Sequence, residues 1–148
     1  MKLLDTDVCI EILRGNPQVL ERRQATPDRV ATTWITACEL AYGAANSRAP
    51  EQNQILVTEF LSTLPILDFN LPTALLFGRH KARLRGLGTT VADADLMIAA
   101  MALAQGATLV TGNTRHYERF DDLRLEDWIR GPATSNSGRM TDGPSAGH

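Results

Sequence analysis

The chain has 148 residues, enough for one compact domain whose core needs no disulfide or metal staple. A hydrophobic share of 43% and a charged share of 22% are those of an ordinary globular protein, and no apolar stretch is long enough to span a bilayer. A formal net charge of -2 excludes a global electrostatic pull toward nucleic acid, although acidic catalytic residues can offset a basic rim. The opening Met1-Lys2-Leu3-Leu4-Asp5 lacks the apolar core and cleavage site of a secretory signal, so a cytoplasmic location is expected. Cys9 and Cys38 lie in apolar, helix-like segments and are read as buried reduced thiols, since two cysteines make neither a disulfide framework nor a metal-ligand spacing. Lys2 and Lys81 are the lysines among 15 basic residues. The arginine bias suits bidentate phosphate contact and equally suits a GC-rich genome.

In chain order, residues 1 to 5 form a short apolar run ending in Asp5, which predicts a buried strand. Asp7 has the character of an N-cap for a short helix carrying Val8, Ile10, Ile12 and Leu13, and Gly15-Asn16-Pro17 ends it and starts another over Pro17 to Gln24. Arg29 to Thr33 is a second strand, followed by a helix from Thr36 to about Ala45. A helix after Pro50 is expected to place Ile55, Leu56, Phe60, Leu61 and Leu64 on one face. Pro65 to Phe69 is a short strand, and a helix from Pro72 carries Leu75, Leu76, His80 and Leu84 and ends at Gly86 or Gly88. Asp93 and Asp95 open an apolar helix capped by Gly106, Ala107 to Thr111 is the clearest strand, Gly112-Asn113 is a turn, and Leu123 to Trp128 closes the domain in extended form. Alternating strands and helices predict an α/β fold with a mostly parallel sheet over residues 1–130. From Gly131 onward Gly, Ser, Pro, Asn and Thr carry no apolar period, and residues 131–148 are expected to form a disordered tail.

The acidic residues fall where ligands collect in an open parallel sheet, beyond the carboxyl ends of strands. Asp5 closes the first strand and Asn113 follows the strand at 107–111, while Glu39 and Asp95 sit near helix starts that can face the same crevice. Each also has a plain structural reading. Thr36-x-x-Glu39 fits a capping box, and Asp7, Asp93 and Asp95 suit helix N-termini. Asp5 differs, because a carboxylate ending an apolar strand is desolvated unless something cationic pairs with it. Two like charges about 4 Å apart repel by about 4 kcal/mol at an effective dielectric of about 20. A divalent cation removes that repulsion, and hard oxygen donors suit Mg2+ or Mn2+. On a helix, residues i and i+2 point about 200° apart, so Asp93 and Asp95 are not expected to serve the same site equally.

The motifs resemble a known family. Leu3-Leu4-Asp5-Thr6-Asp7, Glu39-Leu40-Ala41-Tyr42-Gly43, Asp95-Leu96-Met97-Ile98-Ala99-Ala100, Thr108-Leu109-Val110-Thr111-Gly112-Asn113 and the closing Leu125-Glu126-Asp127-Trp128 are similar, in order and spacing, to PIN-domain ribonucleases of the VapC toxin type. The resemblance covers residues 1 to about 130. It implies a three-layer α/β/α fold, with Asp5, Glu39 and Asp95 holding Mg2+ or Mn2+ and positioning a water that hydrolyses an RNA phosphodiester. It also implies a tRNA or ribosomal RNA substrate, a VapB-like antitoxin partner, a homodimer and no membrane association. Asp7 stands where the family usually has Asn, and Asn113 stands where many members have Asp. Asp7, Asp93, Asn113 and the hydroxyl of Thr111 are therefore accessory candidates. Arg79, Lys81 and Arg83 are the first candidates for RNA contact, with a solvated helix face as the plain alternative, and Arg115 and His116, beside the turn, are the second, with ordinary surface residues as theirs.

Two other readings fit parts of the pattern. Asp5-Thr6-Asp7-Val8 also matches the nucleophile loop of haloacid-dehalogenase-like phosphotransferases, in which Asp5 would be phosphorylated and a later lysine would hold the phosphate. A PIN domain that binds RNA or protein without cutting is the other, and the presence of Asp5, Glu39 and Asp95 speaks against it.

Overall fold

The computed structural model describes residues 1–131. Five strands, β1 (Lys2–Leu4), β2 (Val30–Thr33), β3 (Ile66–Leu67), β4 (Thr108–Val110) and β5 (Arg124–Glu126), lie in the order β3-β2-β1-β4-β5. Every pairing is parallel, with Leu3 opposite Ala31 on one side and Leu109 on the other. The first strand is therefore the middle one, and the chain builds outward first to one edge and then to the other.

Seven helices accompany the strands among the described residues: α1 (Thr6–Leu13), α2 (Pro17–Ala25), α3 (Trp34–Ala45), α4 (Pro50–Leu61), α5 (Leu71–Gly86), α6 (Asp93–Gln105) and α7 (Thr114–Tyr117). Successive strand residues point to opposite faces, so the sheet feeds two cores. Leu4 and Val110 pack with Val8, Val19, Leu40, Val57, Phe60 and Trp128 from the α1–α4 side and the closing segment. Leu3 and Leu109 pack with Leu84, Leu96, Ile98, Met101, Tyr117 and Phe120 on the α5–α7 side. This is a three-layer α/β/α arrangement, and its sheet is parallel throughout. No helix among the described residues is long and apolar enough to cross a membrane.

Several local expectations change. Asp5, not Asp7, caps α1: its backbone is extended and its side chain accepts from the Thr6 amide. Helix α3 starts two residues early, at Trp34, because Thr33 provides the cap by accepting from the Thr36 amide. Glu39 thus lies in the second turn and closes no capping box. On α4 the buried stripe runs through Val57 and Phe60 toward Leu64, an i, i+3, i+7 spacing, which turns Ile55 (59% exposed) and Leu56 (51% exposed) off the core. Leu75 is likewise exposed on α5, and Cys38 is exposed on α3, while Cys9 is buried as expected. Gly106 ends α6 in the left-handed conformation at φ 59°, the role expected of it. The expected tail, residues 131–148, lies outside the described residues except for Gly131.

Because Leu3 is fully buried at the sheet centre, Leu3→Ala should lower the unfolding free energy by about 2–5 kcal/mol. Chemical denaturation at constant pH measures it, and a loss under about 1 kcal/mol would contradict this packing.

Candidate active site

The order of the sheet reverses at β1, and the crevice beyond its carboxyl end is where an open parallel sheet offers a site. Asp5 is the first residue past β1 and is 6% exposed. Its Oδ1 accepts from the Thr6 amide at 2.8 Å, and its Oδ2 accepts from the hydroxyls of Thr111 at 2.9 Å and Tyr117 at 3.1 Å. Thr111 follows β4, the strand beside β1, and Tyr117 ends the single turn of α7. Asp95, in the first turn of α6, places its Oδ1 3.3 Å from the same Tyr117 hydroxyl. Glu39 reaches the group through Thr6, whose hydroxyl donates to its Oε1 at 2.9 Å and lies 3.0 Å from the Thr36 hydroxyl. Asp5 and Asp95 thus meet at one phenol, and Asp5 and Glu39 meet at one threonine.

The electrostatics follow from burial without compensation. Desolvation pushes the Asp5 carboxyl above its ordinary range against three hydrogen bonds, and the charge of Asp95 adds to the rise. Burial raises Glu39 too, with Asp95 and Asp5 contributing. Among the described residues no lysine or arginine forms an ion pair with Asp5, Glu39 or Asp95. Nor is any group of three Asp, Glu, His or Cys side chains gathered tightly enough to grip an ion as it stands; the carboxylates are joined through hydroxyls instead. The donor set nevertheless fits a hard divalent cation: it is all oxygen, partly desolvated and carries uncompensated negative charge.

The accessory candidates divide. Thr111 bonds Asp5 directly, and its hydroxyl also accepts from the Asn113 amide at 3.1 Å. The Asn113 side chain is exposed and caps nothing. Asp7 turns toward the end of β4, accepting from the amides of Val8 and Gly112 at 2.8 Å each. Burial and the neighbouring Asp5 push its carboxyl from 3.8 to about 6. A Cβ on Gly112 would stand 2.8 Å from Ile129 Cδ1 and 3.0 Å from Asp7 Oδ2, which accounts for glycine there. Asp93 points away from Asp95 and pairs with Lys81 at 2.9 Å. His116, expected at an RNA-facing surface, places Nε2 3.1 Å from Asp95 Oδ2. Arg115 and Arg79 are exposed, and Arg83 donates to the Arg119 carbonyl at 3.0 Å. Tyr117 and Thr6 are the site residues that sequence reasoning missed. The one available signal for Tyr117 was its i, i+3 pairing with Phe120, which marks a buried ring whose hydroxyl then needs a partner.

The phosphotransferase reading fails on its lysine. Lys2 pairs with Glu126 and with Asp28 at 3.5 Å, and Lys81 pairs with Asp93, so neither stands at Asp5.

A parallel sheet with acidic residues gathered past its central strand is the arrangement of a PIN domain, and the profile of that domain matches residues 2–123. The chain belongs to the PIN-domain family. It is 39% identical over 127 residues to the tRNA(fMet)-specific endonuclease VapC of Salmonella typhimurium, covering 85% of this chain and 96% of the relative. It is 38% identical over 128 residues to the ribonuclease VapC2 of Haemophilus influenzae, covering 86% and 97%. Its fold is similar to that in the crystal structure of DNA-bound VapBC from Salmonella typhimurium, with a TM-score of 0.81 at 39% identity over 86% of this chain and 97% of that one. By these likenesses it stands among the VapC ribonucleases.

Stability should carry the signature of the raised carboxyls. A carboxyl whose folded pKa exceeds its unfolded value stabilises the fold below the unfolded value, and that contribution is lost as pH rises through the folded one, here from 3.8 to about 6 for Asp7. With metal chelated, Tm should rise as pH falls from about 7 to about 5. Glu126, held below 4.5 by Lys2 and Trp128 against the pull of burial, acts in the opposite sense only in more acid solution, whereas His80, whose pKa burial lowers from 6.5, opposes the rise within the interval as one group against the three raised carboxyls of Asp5, Asp7 and Glu39. A Tm that falls across that interval would contradict the assignment.

Proposed function

We propose that this chain cuts RNA phosphodiester bonds as a toxin, with Asp5, Asp95 and Glu39 as the carboxylates that hold Mg2+ or Mn2+. The observation that carries the reading is the Asp5 carboxylate, buried without a basic partner and joined to Asp95 through one phenol. When bound, the ion supplies Lewis acidity and neutralises charge developing on the phosphate. The chain's own residues do the rest. Thr6 and Thr111 fix the rotamer of Asp5, Thr6 orients Glu39, and Asp5 is held away from solvent while Asp95 and the exposed Glu39 face it, where a water and the substrate can approach. Arg115 beside the site is the first choice for phosphate contact, with Arg79, Lys81 and Arg83 on α5 as a more distant track; tRNA is the substrate class by likeness to the relatives.

An apolar groove between α1, α3 and α4, lined by Leu13, Leu40, Ala44, Leu56 and Val57, has Arg14 and Glu39 at its rim. It fits an amphipathic segment of a VapB-like antitoxin, and its continuity with Glu39 lets a cationic side chain of that partner reach the acidic residues. The exposed Leu71 and Leu75, one turn apart on α5, supply apolar surface for a homodimer. Residence in the cytoplasm belongs to the same reading.

Asp5→Asn and Asp95→Asn should each cut Mg2+- or Mn2+-dependent RNA cleavage by more than the roughly 10–100-fold that loss of an outer partner costs at a metal site. The fold should persist, and the metal-free Tm should stay level or rise as repulsion is relieved. Near-wild-type cleavage by both, in nuclease-free preparations, would refute the mechanism.

A further inference from the structure

Tyr117 is fully buried, with its ring tilted against Phe120 at a centroid distance of 6.4 Å and edge-on to His116 at 5.5 Å. Packed this way, the ring cannot swing its hydroxyl out of the crevice. That hydroxyl stands 3.1 Å from Asp5 Oδ2 and 3.3 Å from Asp95 Oδ1. A phenol carries one proton, so it bridges the two carboxyls by donating to one while the other, when protonated, donates to the phenol oxygen. Asp5 Oδ2 also receives Thr111, which leaves Oδ1, with its single bond from the Thr6 amide, as the oxygen with room for a further ligand. Asp95 sits on a different helix and has no hydroxyl donor but Tyr117 among the described residues. Among the described residues the phenol is thus the hydrogen-bonding group that ties the end of β1 to the start of α6.

We propose that Tyr117 is a positioning residue whose hydroxyl holds the Asp5 and Asp95 carboxylates together and so sets the affinity of the site for a divalent ion. This rests on the metal-dependent reading above. Phenylalanine fills the same space without the hydroxyl, so Tyr117→Phe separates the two roles of the side chain.

The test is calorimetric titration of the purified chain with Mn2+ in the absence of RNA. Tyr117→Phe should keep its circular dichroism spectrum and bind Mn2+ about tenfold more weakly, with kcat reduced and KM for RNA little changed. Equal Mn2+ affinity in folded Tyr117→Phe would overturn the inference, whereas no Mn2+ binding by the wild-type chain would overturn the metal reading beneath it. A second measurement leaves the site intact. Tyr42 and Tyr117 are the two tyrosines, so in Tyr42→Phe the ultraviolet difference spectrum reports Tyr117 alone as its tyrosine. It should change as Mn2+ binds, and a silent tyrosine spectrum at saturating Mn2+ would overturn the proposal.

Discussion

A carboxylate placed at the end of a buried strand has to be accommodated by everything around it, and Asp5 imposes that condition on this fold. Its two oxygens take three donors from three parts of the chain: the first amide of α1, a hydroxyl just past β4 and a phenol on α7. None of the three is charged, so they anchor the side chain without neutralising it. The same residue caps α1, which couples the site to the first helix of the fold. Asp95 and Glu39 then approach a charge that is already desolvated, and their mutual repulsion raises the carboxyl pKa values of Asp5 and Glu39 further.

The sheet order turns that condition into a usable surface. With β1 central, residues following β1, β2 and β4 converge on one edge, while the helices split into two layers that bury Leu3 and Leu4 on opposite sides. On one side the groove between α1, α3 and α4 runs up to Glu39, so this apolar groove and the acidic residues share a border. Of the α4 side chains that left the expected core pattern, Leu56 lines this groove, while Ile55 lines a separate depression with Glu51, Gln54, Thr58 and Glu59.

Much of this is legible in the amino-acid sequence. The five strands, the capping Gly106, the acidic residues and the divergence of Asp93 from Asp95 follow from apolar period and helix geometry. What escaped was decided by tertiary partners. Asp5 and Asp7 are both good caps, and the choice fell to Asp5 because the Gly112 amide occupies Asp7. Thr33 outcompeted Thr36 for the start of α3 because β2 carries it directly into the cap position. Local spacing could not show that Thr6 would reach Glu39 or that Tyr117 would reach two carboxylates, since those contacts span separations that no helical or strand period encodes. The basic run on α5 was legible as a cluster of charge, but Lys81 turned out to be held by Asp93, and only packing could tell.

The hydrogen bonds that complete Asp5 join residues 106 and 112 positions apart, almost the length of the domain. The strand synthesised first must therefore wait, with one edge unpaired, until β4 leaves the ribosome more than a hundred residues later. Such long closures are slow relative to local helix formation. A nascent or truncated chain that stops before Tyr117 can contain every carboxylate of the site and still not assemble it. Competence arrives late and all at once, when the last quarter of the domain docks.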